Sequence, residues 1–337
     1  MKVFLTGGGT LGSVSPLIGI YQKLKEKDNN LVTFFIGTKS GPEKEFVKQY
    51  CVKYESIVST KYRRYSSLKS FLIPGLLFIS FWQSLFLLIK HKPDWIIGAG
   101  SFVQVPLIWA SKFFKTKVVL YQSDLKKGLA NKLNEKQADL IFVTFPESKK
   151  YFKNLNKVQV VGTVLRSEIN EVNNNEENIL LVLGGGTGAT SINNLIKESI
   201  CELTKDFKVI HVTGQGKKLD FKHDNYEQYE ILLDDYYEKL NQAKLIISRA
   251  GLSSIMELSY LAKNSILIPL PRSSQVDNAK YICFKKGAVC LEQDELNSNK
   301  LIKAVKRNIN LGNEFNKIFK HQGEIIIADT IYEFKRN

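Results

Sequence analysis

The stretch Val3-Phe4-Leu5-Thr6-Gly7-Gly8-Gly9-Thr10-Leu11-Gly12-Ser13-Val14-Ser15-Pro16 decides how the chain is read. A short apolar run passes into a glycine-rich turn and then into a segment of helical length. Glycine in such a turn lets the backbone reach φ > 0 and approach a ligand closely. The helix N-terminus beyond it attracts phosphate through its free N–H groups. The arrangement returns twice. Trp95–Ile97 leads into Gly98-Ala99-Gly100-Ser101-Phe102-Val103-Gln104-Val105-Pro106, and Ile179–Leu183 into Gly184-Gly185-Gly186-Thr187-Gly188-Ala189-Thr190-Ser191. One such turn can serve the sterics of a tight connection alone; three in corresponding places point to ligands. None reads G-x-x-x-x-G-K-[ST], which excludes a P-loop nucleotidase. Gly7, Gly9 and Gly12 have the G-x-G-x-x-G spacing of a dinucleotide fold, so an oxidoreductase is a rival reading. It requires an acid at the end of the next strand, but Leu31–Ile36 runs out into Gly37-Thr38-Lys39.

Outward from these turns, apolar runs alternate with helix-length segments. The expected strands are Val3–Thr6, Leu31–Ile36, Trp95–Ile97, Val118–Tyr121, Leu140–Val143 and Val158–Val161. A second set comprises Ile179–Leu183, Lys208–Val212, Tyr229–Leu233, Leu245–Ile247, Ser265–Ile268 and Ala288–Leu291. This alternation predicts α/β architecture: two tandem Rossmann-like, doubly wound domains with a cleft between them. The expected divisions are 1–163, 164–312, and a C-terminal helical segment 313–337 packing back toward the first domain. A length of 337 residues suits two domains, and 44% hydrophobic with 24% charged residues excludes disorder, collagen and coiled coil. Cys51, Cys201, Cys283 and Cys290 form no C-x-x-C pair, so neither a disulfide scaffold nor a zinc ribbon is expected, and a reducing compartment fits. No signal peptide is expected, because Met1-Lys2 runs straight into the first strand.

The formal charge of +15 is one-sided. Residues 1–163 carry 25 Lys and Arg against 10 Asp and Glu, and the remainder carries 23 of each. Such a field favours an anionic surface or a phosphorylated substrate. Phe71–Ile89 holds 19 residues without a charge. That length permits a span, but Pro74, Gly75, Gln83 and Ser84 interrupt it, and a span would split the first domain. Basic residues just upstream, Lys61, Arg63, Arg64 and Lys69, beside Phe78, Trp82 and Trp109, predict an interfacial anchor for an anionic leaflet. The alternative is a core helix with a basic neighbour.

These residues resemble the MurG family of bacterial UDP-N-acetylglucosamine transferases over nearly the whole chain, in order. The family's G-G-T-G-G-H-x-x-P loop is similar to Gly8–Pro16. Its K-P-D-x-x-x-G-x-G-G-Y-x-x-x-P loop is similar to Lys92–Pro106, and H-E-Q-N-x-x-x-G-x-x-N to Tyr121–Asn131. G-G-S-x-G-A resembles Gly184–Ala189, R-S-G-A-x-T-x-x-E resembles Arg249–Glu257, and Q-x-x-N-A is present as Gln275–Ala279. The chain departs from the pattern at Ser13 for histidine, Leu11 for glycine, Gly186 for serine, and Tyr121, Gln122 and Asp124 for His, Glu and Asn. Most departures fall in the acceptor half.

The resemblance implies the GT-B fold and an inverting transfer of GlcNAc from UDP-GlcNAc to undecaprenyl-diphosphate-linked MurNAc-pentapeptide, in peptidoglycan precursor synthesis. It implies a peripheral protein at the cytoplasmic face of the cell membrane, with no cofactor, no metal and no nucleic acid partner. Donor residues would be Arg166, Gly186, Thr187, Gly188, Leu233, Gly251, Leu252, Ser253, Ser254, Glu257, Gln275 and Asn278. Glu257 would accept the ribose hydroxyls, and Gln275 and Asn278 would read the sugar. Acceptor residues would be Thr10, Gly12, Ser13, Gly100, Ser101, Tyr121, Asp124 and Asn131. Ser13 stands at the family's catalytic histidine and cannot act as a base unaided, so Asp124 is the candidate base; its structural alternative is a cap for a helix from Leu125. Other readings are transfer to another lipid acceptor, and an inert nucleotide-sugar-binding paralogue.

Overall fold

The computed structural model describes residues 1–59, 73–171, 175–185, 188–232, 235–309 and 315–336. The chain forms two units, Met1–Arg166 with His321–Asn337, and Ser167–Lys320.

The first unit is built on a parallel sheet of β1 (Lys2–Thr6), β2 (Val32–Gly37), β3 (Lys53–Ser56), β4 (Trp95–Gly98), β5 (Lys117–Gln122), β6 (Leu140–Val143) and β7 (Val158–Val160). Their order is β3-β2-β1-β4-β5-β6-β7, which reverses direction between β1 and β4. The connecting helices are α1 (Ser15–Lys27), α2 (Glu43–Lys48), α3 (Ile73–His91), α4 (Gln104–Ser111) and α5 (Leu129–Asn134). Strands buried on both faces read as continuous apolar runs. Period-2 alternation then divides them between two cores. Val3 and Leu5 pack with Leu17, Ile18 and Ile20 of α1, whereas Phe4 packs with Leu87 and Leu88 of α3 and Leu107 of α4 on the other face.

The second unit repeats the plan with β8 (Glu177–Leu183), β9 (Lys208–Val212), β10 (Tyr226–Tyr229), β11 (Ala243–Ser248), β12 (Ser265–Leu267) and β13 (Val289–Cys290) in the order β10-β9-β8-β11-β12-β13, all parallel. Its helices are α6 (Thr190–Asp206), α7 (Tyr236–Gln242), α8 (Leu252–Tyr260), α9 (Ser274–Phe284) and α10 (Ser298–Asn308). The chain then returns to the first unit as α11 (Gly323–Arg336), which packs on α1.

The unit boundaries lie beyond the expected ones at both crossings. Val164 is part of the first core, and the Leu165 amide donates to the Glu324 carboxylate at 3.1 Å, so the first unit runs to Arg166. The Gly323 amide closes on the Thr163 carbonyl at 2.8 Å, which fixes the return at His321 rather than at 313. Two strands also differ from expectation. β3, Lys-Tyr-Glu-Ser, has no apolar run, because it is an edge strand paired only to β2. β10 lies at Tyr226–Tyr229, upstream of the apolar run expected at Tyr229–Leu233; Ile231 of that run is exposed. Cys283 and Cys290 form a disulfide between α9 and β13, a pairing the cysteine spacing did not suggest.

Candidate functional site

In a doubly wound sheet, ligands bind beyond the carboxyl ends of the strands where the strand order reverses. In the first unit that point holds the turns after β1 and β4. The Ser101 hydroxyl donates to the Gly8 carbonyl at 3.1 Å and joins them. Gly8 and Gly9 have φ of 152° and 78°, conformations that L side chains rarely adopt. The Ser13 hydroxyl accepts from the Gly8 amide at 3.3 Å and donates to the Thr10 carbonyl at 3.4 Å. Ser13 is therefore engaged in closing the turn, and neither of these partners is a base that would activate it.

Glu43, the first residue of α2, reaches the same turn. Its fully buried carboxylate accepts from the amides of Gly9 at 3.1 Å and Thr38 at 2.8 Å and from the Thr38 hydroxyl. Sequence reasoning missed this residue. The spacing rule seeks an acid at the strand end, and Glu43 lies six residues beyond Gly37. The carboxylate that could have received a dinucleotide ribose is bonded to the glycine turn itself.

A buried chain of amides links the second turn to the loop after β5. Gln104 Oε1 accepts from the Gly100 amide at 2.7 Å, and its Nε2 donates to Asn131 Oδ1 at 2.8 Å. Asn131 Nδ2 donates to Gln122 Oε1 at 2.9 Å and to the Tyr121 carbonyl at 3.1 Å. Gln122 Nε2 then donates to the Asp124 carbonyl at 2.8 Å. Asn131, an acceptor candidate, is 1% exposed and occupied within the scaffold. Tyr121, another acceptor candidate, lies in the core. It is completely buried with its hydroxyl 2.8 Å from that of Thr144, and burial pushes its phenol pKa up. Asp124 caps no helix, because α5 begins at Leu129 with Gly128 as its cap. Its side chain is half-buried, and among the other acceptor candidates Thr10 and Gly12 are exposed.

In the second unit, Gly251 caps α8, so the amides of Leu252, Ser253 and Ser254 form the helix's first turn beyond the end of β11. The first N–H groups of a helix lack intrahelical partners and favour an anion. Glu257, one turn further, is buried, with Oε2 accepting from Tyr236 at 2.8 Å and Oε1 from Tyr237 at 3.1 Å. Arg249 opens the same segment. Its guanidinium donates to the Ile268 carbonyl, the Ser191 hydroxyl and Gln293 Oε1 at 2.7–3.0 Å, and so ties β11 to the start of α6. Gly188 has φ of 69° and stands against the Thr213 carbonyl, which a Cβ would strike. Asn193 holds that carbonyl at 2.9 Å and His211 at 3.1 Å, and His211 contacts the Tyr226 hydroxyl at 3.0 Å.

Three of the donor candidates are set within the scaffold. Asn278 has no exposed surface. Gln275 Oε1 accepts from the Leu270 amide at 2.9 Å, which leaves its Nε2 as the group for a ligand. Arg166 belongs to the first unit, where it donates to the Tyr50 hydroxyl at 2.7 Å and covers the Phe46 ring. Gly186, Thr187 and Leu233 lie outside the described residues, as do Lys61, Arg63, Arg64 and Lys69.

The long apolar run forms α3 as a two-faced helix. Leu87 and Leu88 enter the core, while Phe78, Trp82 and Phe86 are 54–64% exposed, with Phe113 beside Phe81 at 71%. The polar residues that interrupt the run dock it: Gln83 accepts from the Val58 amide at 2.7 Å, and Ser80 donates to the Val58 carbonyl. Trp109 is half-buried. Among the described residues no helix is long and apolar enough to cross a membrane.

The glycosyltransferase family 28 N-terminal domain matches residues 3–143, and the glycosyltransferase family 28 C-terminal domain matches residues 179–322. The chain is 38% identical over 322 residues to the UDP-N-acetylglucosamine–N-acetylmuramyl-(pentapeptide) pyrophosphoryl-undecaprenol N-acetylglucosamine transferase of Clostridium perfringens, covering 90% of this chain and 89% of that one. The protein of the same name from Clostridium tetani is 37% identical over 313 residues, covering 88% and 86%. Among solved structures, Acinetobacter baumannii MurG aligns with a TM-score of 0.72 at 17% identity, covering 98% of this chain and 99% of that one.

Proposed function

The chain belongs to glycosyltransferase family 28 and, within it, to the MurG family of N-acetylglucosamine transferases, and from that premise we propose that it moves GlcNAc from UDP-GlcNAc to undecaprenyl-diphosphate-linked MurNAc-pentapeptide. The observation that carries this reading is the segment Arg249–Glu257. It joins a strand end, the N-terminus of α8 and a buried carboxylate held by two phenols.

The diphosphate of the donor would take the α8 amides at Leu252–Ser254. Charge grows on this group as UDP leaves, and fixed amides stabilise it without reorganisation. Glu257 would accept the ribose hydroxyls. Tyr236 is half-buried, and exchange of its hydroxyl for a ribose hydroxyl replaces one donor by another at small net cost. Gln275 would orient the sugar through Nε2. The acceptor would meet the first unit at Thr10, Gly12 and Asp124. Asp124 would take the proton of the attacking sugar hydroxyl while the new bond forms at the anomeric carbon on the face opposite UDP.

Attachment to the cytoplasmic face of the cell membrane would use the outer face of α3 and Phe113 together with the basic residues before α3. Exposed aromatics beside lysine and arginine suit an anionic interface.

Titration of the purified protein with UDP-GlcNAc, UDP-glucose and NADH tests the donor class. Binding of UDP-GlcNAc ahead of UDP-glucose, with no NADH response, is expected. NADH binding with no response to either UDP-sugar overturns the reading.

A further inference from the structure

We propose that Glu43 is a positioning residue for the acceptor, a carboxylate that sets the shape of the first glycine turn from beneath; this rests on the reading that the turn meets the acceptor. Glu43 is 0% exposed, and its carboxylate accepts from the Gly9 amide, the Thr38 amide and the Thr38 hydroxyl, with the Tyr54 hydroxyl also against it. Two glycines make room for it. A Cβ on Gly8 would stand 2.5 Å from Glu43 Oε1, and one on Gly41 would strike Glu43 Oε2 and the Thr38 hydroxyl. Gly8 is thus held on three sides: Ser13 bonds its amide, Ser101 bonds its carbonyl, and Glu43 fixes the next amide.

The consequence is chemical as well as steric. A glycine-rich turn before a helix is ordinarily an open anion site. Here the Gly9 amide already serves an internal anion, so an acceptor diphosphate is turned away from the β2 side of the turn by charge and by occupancy. The positions left to the acceptor are the exposed Thr10 and Gly12. Glu43 touches no reacting atom in this scheme; it acts through the turn.

The test uses full-length enzyme with UDP-GlcNAc and lipid-linked MurNAc-pentapeptide. Glu43→Gln presents an amide whose N–H groups oppose the donors around it. Gly41→Ala displaces the carboxylate from outside the turn, because its Cβ would stand 2.0 Å from Glu43 Oε2. Both should raise the acceptor KM by roughly tenfold or more, since misplacement by about 1 Å has large kinetic cost, and should leave the UDP-GlcNAc KM within about twofold. Thr10→Tyr, on the exposed surface of the turn, checks the underlying reading. If Thr10→Tyr raises the acceptor KM and the other two variants do not, the role of Glu43 is overturned. If Thr10→Tyr also has no effect, the turn does not meet the acceptor. If Glu43→Gln lowers kcat, raises both KM values alike and lowers the melting temperature, Glu43 is a stabilising residue only and the proposal fails.

Discussion

The hydroxyl of Ser101 donates to the carbonyl of Gly8 across 3.1 Å, joining residues 93 apart in the chain. It does so where the strand order of the first sheet reverses. The buried amides of Gln104, Asn131 and Gln122 extend the connection to the loop that carries Asp124. Three segments distant in sequence are thereby held as one surface, which is what a site for a large acceptor requires.

Glu257→Ala should weaken UDP binding by roughly 1–3 kcal/mol, the cost of leaving ribose hydroxyls unpaired. Titration of 2′-deoxy-UDP should show a smaller loss, because it has one hydroxyl fewer to lose. Equal affinity of the folded variant and the parent protein for UDP would remove Glu257 from the site.

Asp124→Asn should lower turnover by about 10²–10⁴-fold, the usual contribution of a positioned base. UDP-GlcNAc affinity should stay constant, since Asp124 belongs to the first unit and the donor segment to the second. Steady-state kinetics beside a binding titration separates these effects. Undiminished turnover would show that another group takes the proton.

His211 makes stability pH-dependent. Burial lowers its pKa from 6.5 to about 4. Between those values the unfolded chain binds the proton and the folded one does not, so stability rises with pH in that window. The contribution is complete above pH 6.5 and is lost toward pH 4, on the order of 3 kcal/mol. Urea unfolding at pH 4.5 and 7.5 should show a smaller pH difference for His211→Gln than for the parent chain. An equal difference would place the titration elsewhere.

Membrane attachment should divide into two parts with different salt responses. Neutralising Lys61, Arg63, Arg64 and Lys69 should weaken binding to anionic vesicles by about 1 kcal/mol per charge, an effect that added salt removes. Trp82→Ser with Phe86→Ser should weaken binding at every salt concentration, because both side chains are more than half exposed on α3. Vesicle sedimentation measures both. Unchanged partition of the aromatic variant would assign that face to ordinary surface.

The architecture was legible because strands buried on both faces have continuous apolar runs. Leu140–Val143 and Lys208–Val212 begin and end as expected. β3 was not legible, since an edge strand needs few apolar residues. The glycine turns were visible because positive φ selects glycine. Sequence position could not separate exposed polar residues from buried ones such as Asn131 and Asn278. Nor could spacing reveal Glu43, whose contact with Gly9 depends on how α2 closes over the turn.

The most direct test is incubation of the purified chain with radiolabelled UDP-GlcNAc and undecaprenyl-diphosphate-linked MurNAc-pentapeptide, following label into the lipid product and UDP into solution. The account predicts transfer in equal amounts with UDP release and an inverted, β-configured GlcNAc linkage. UDP-GlcNAc binding without any label reaching that lipid would contradict it.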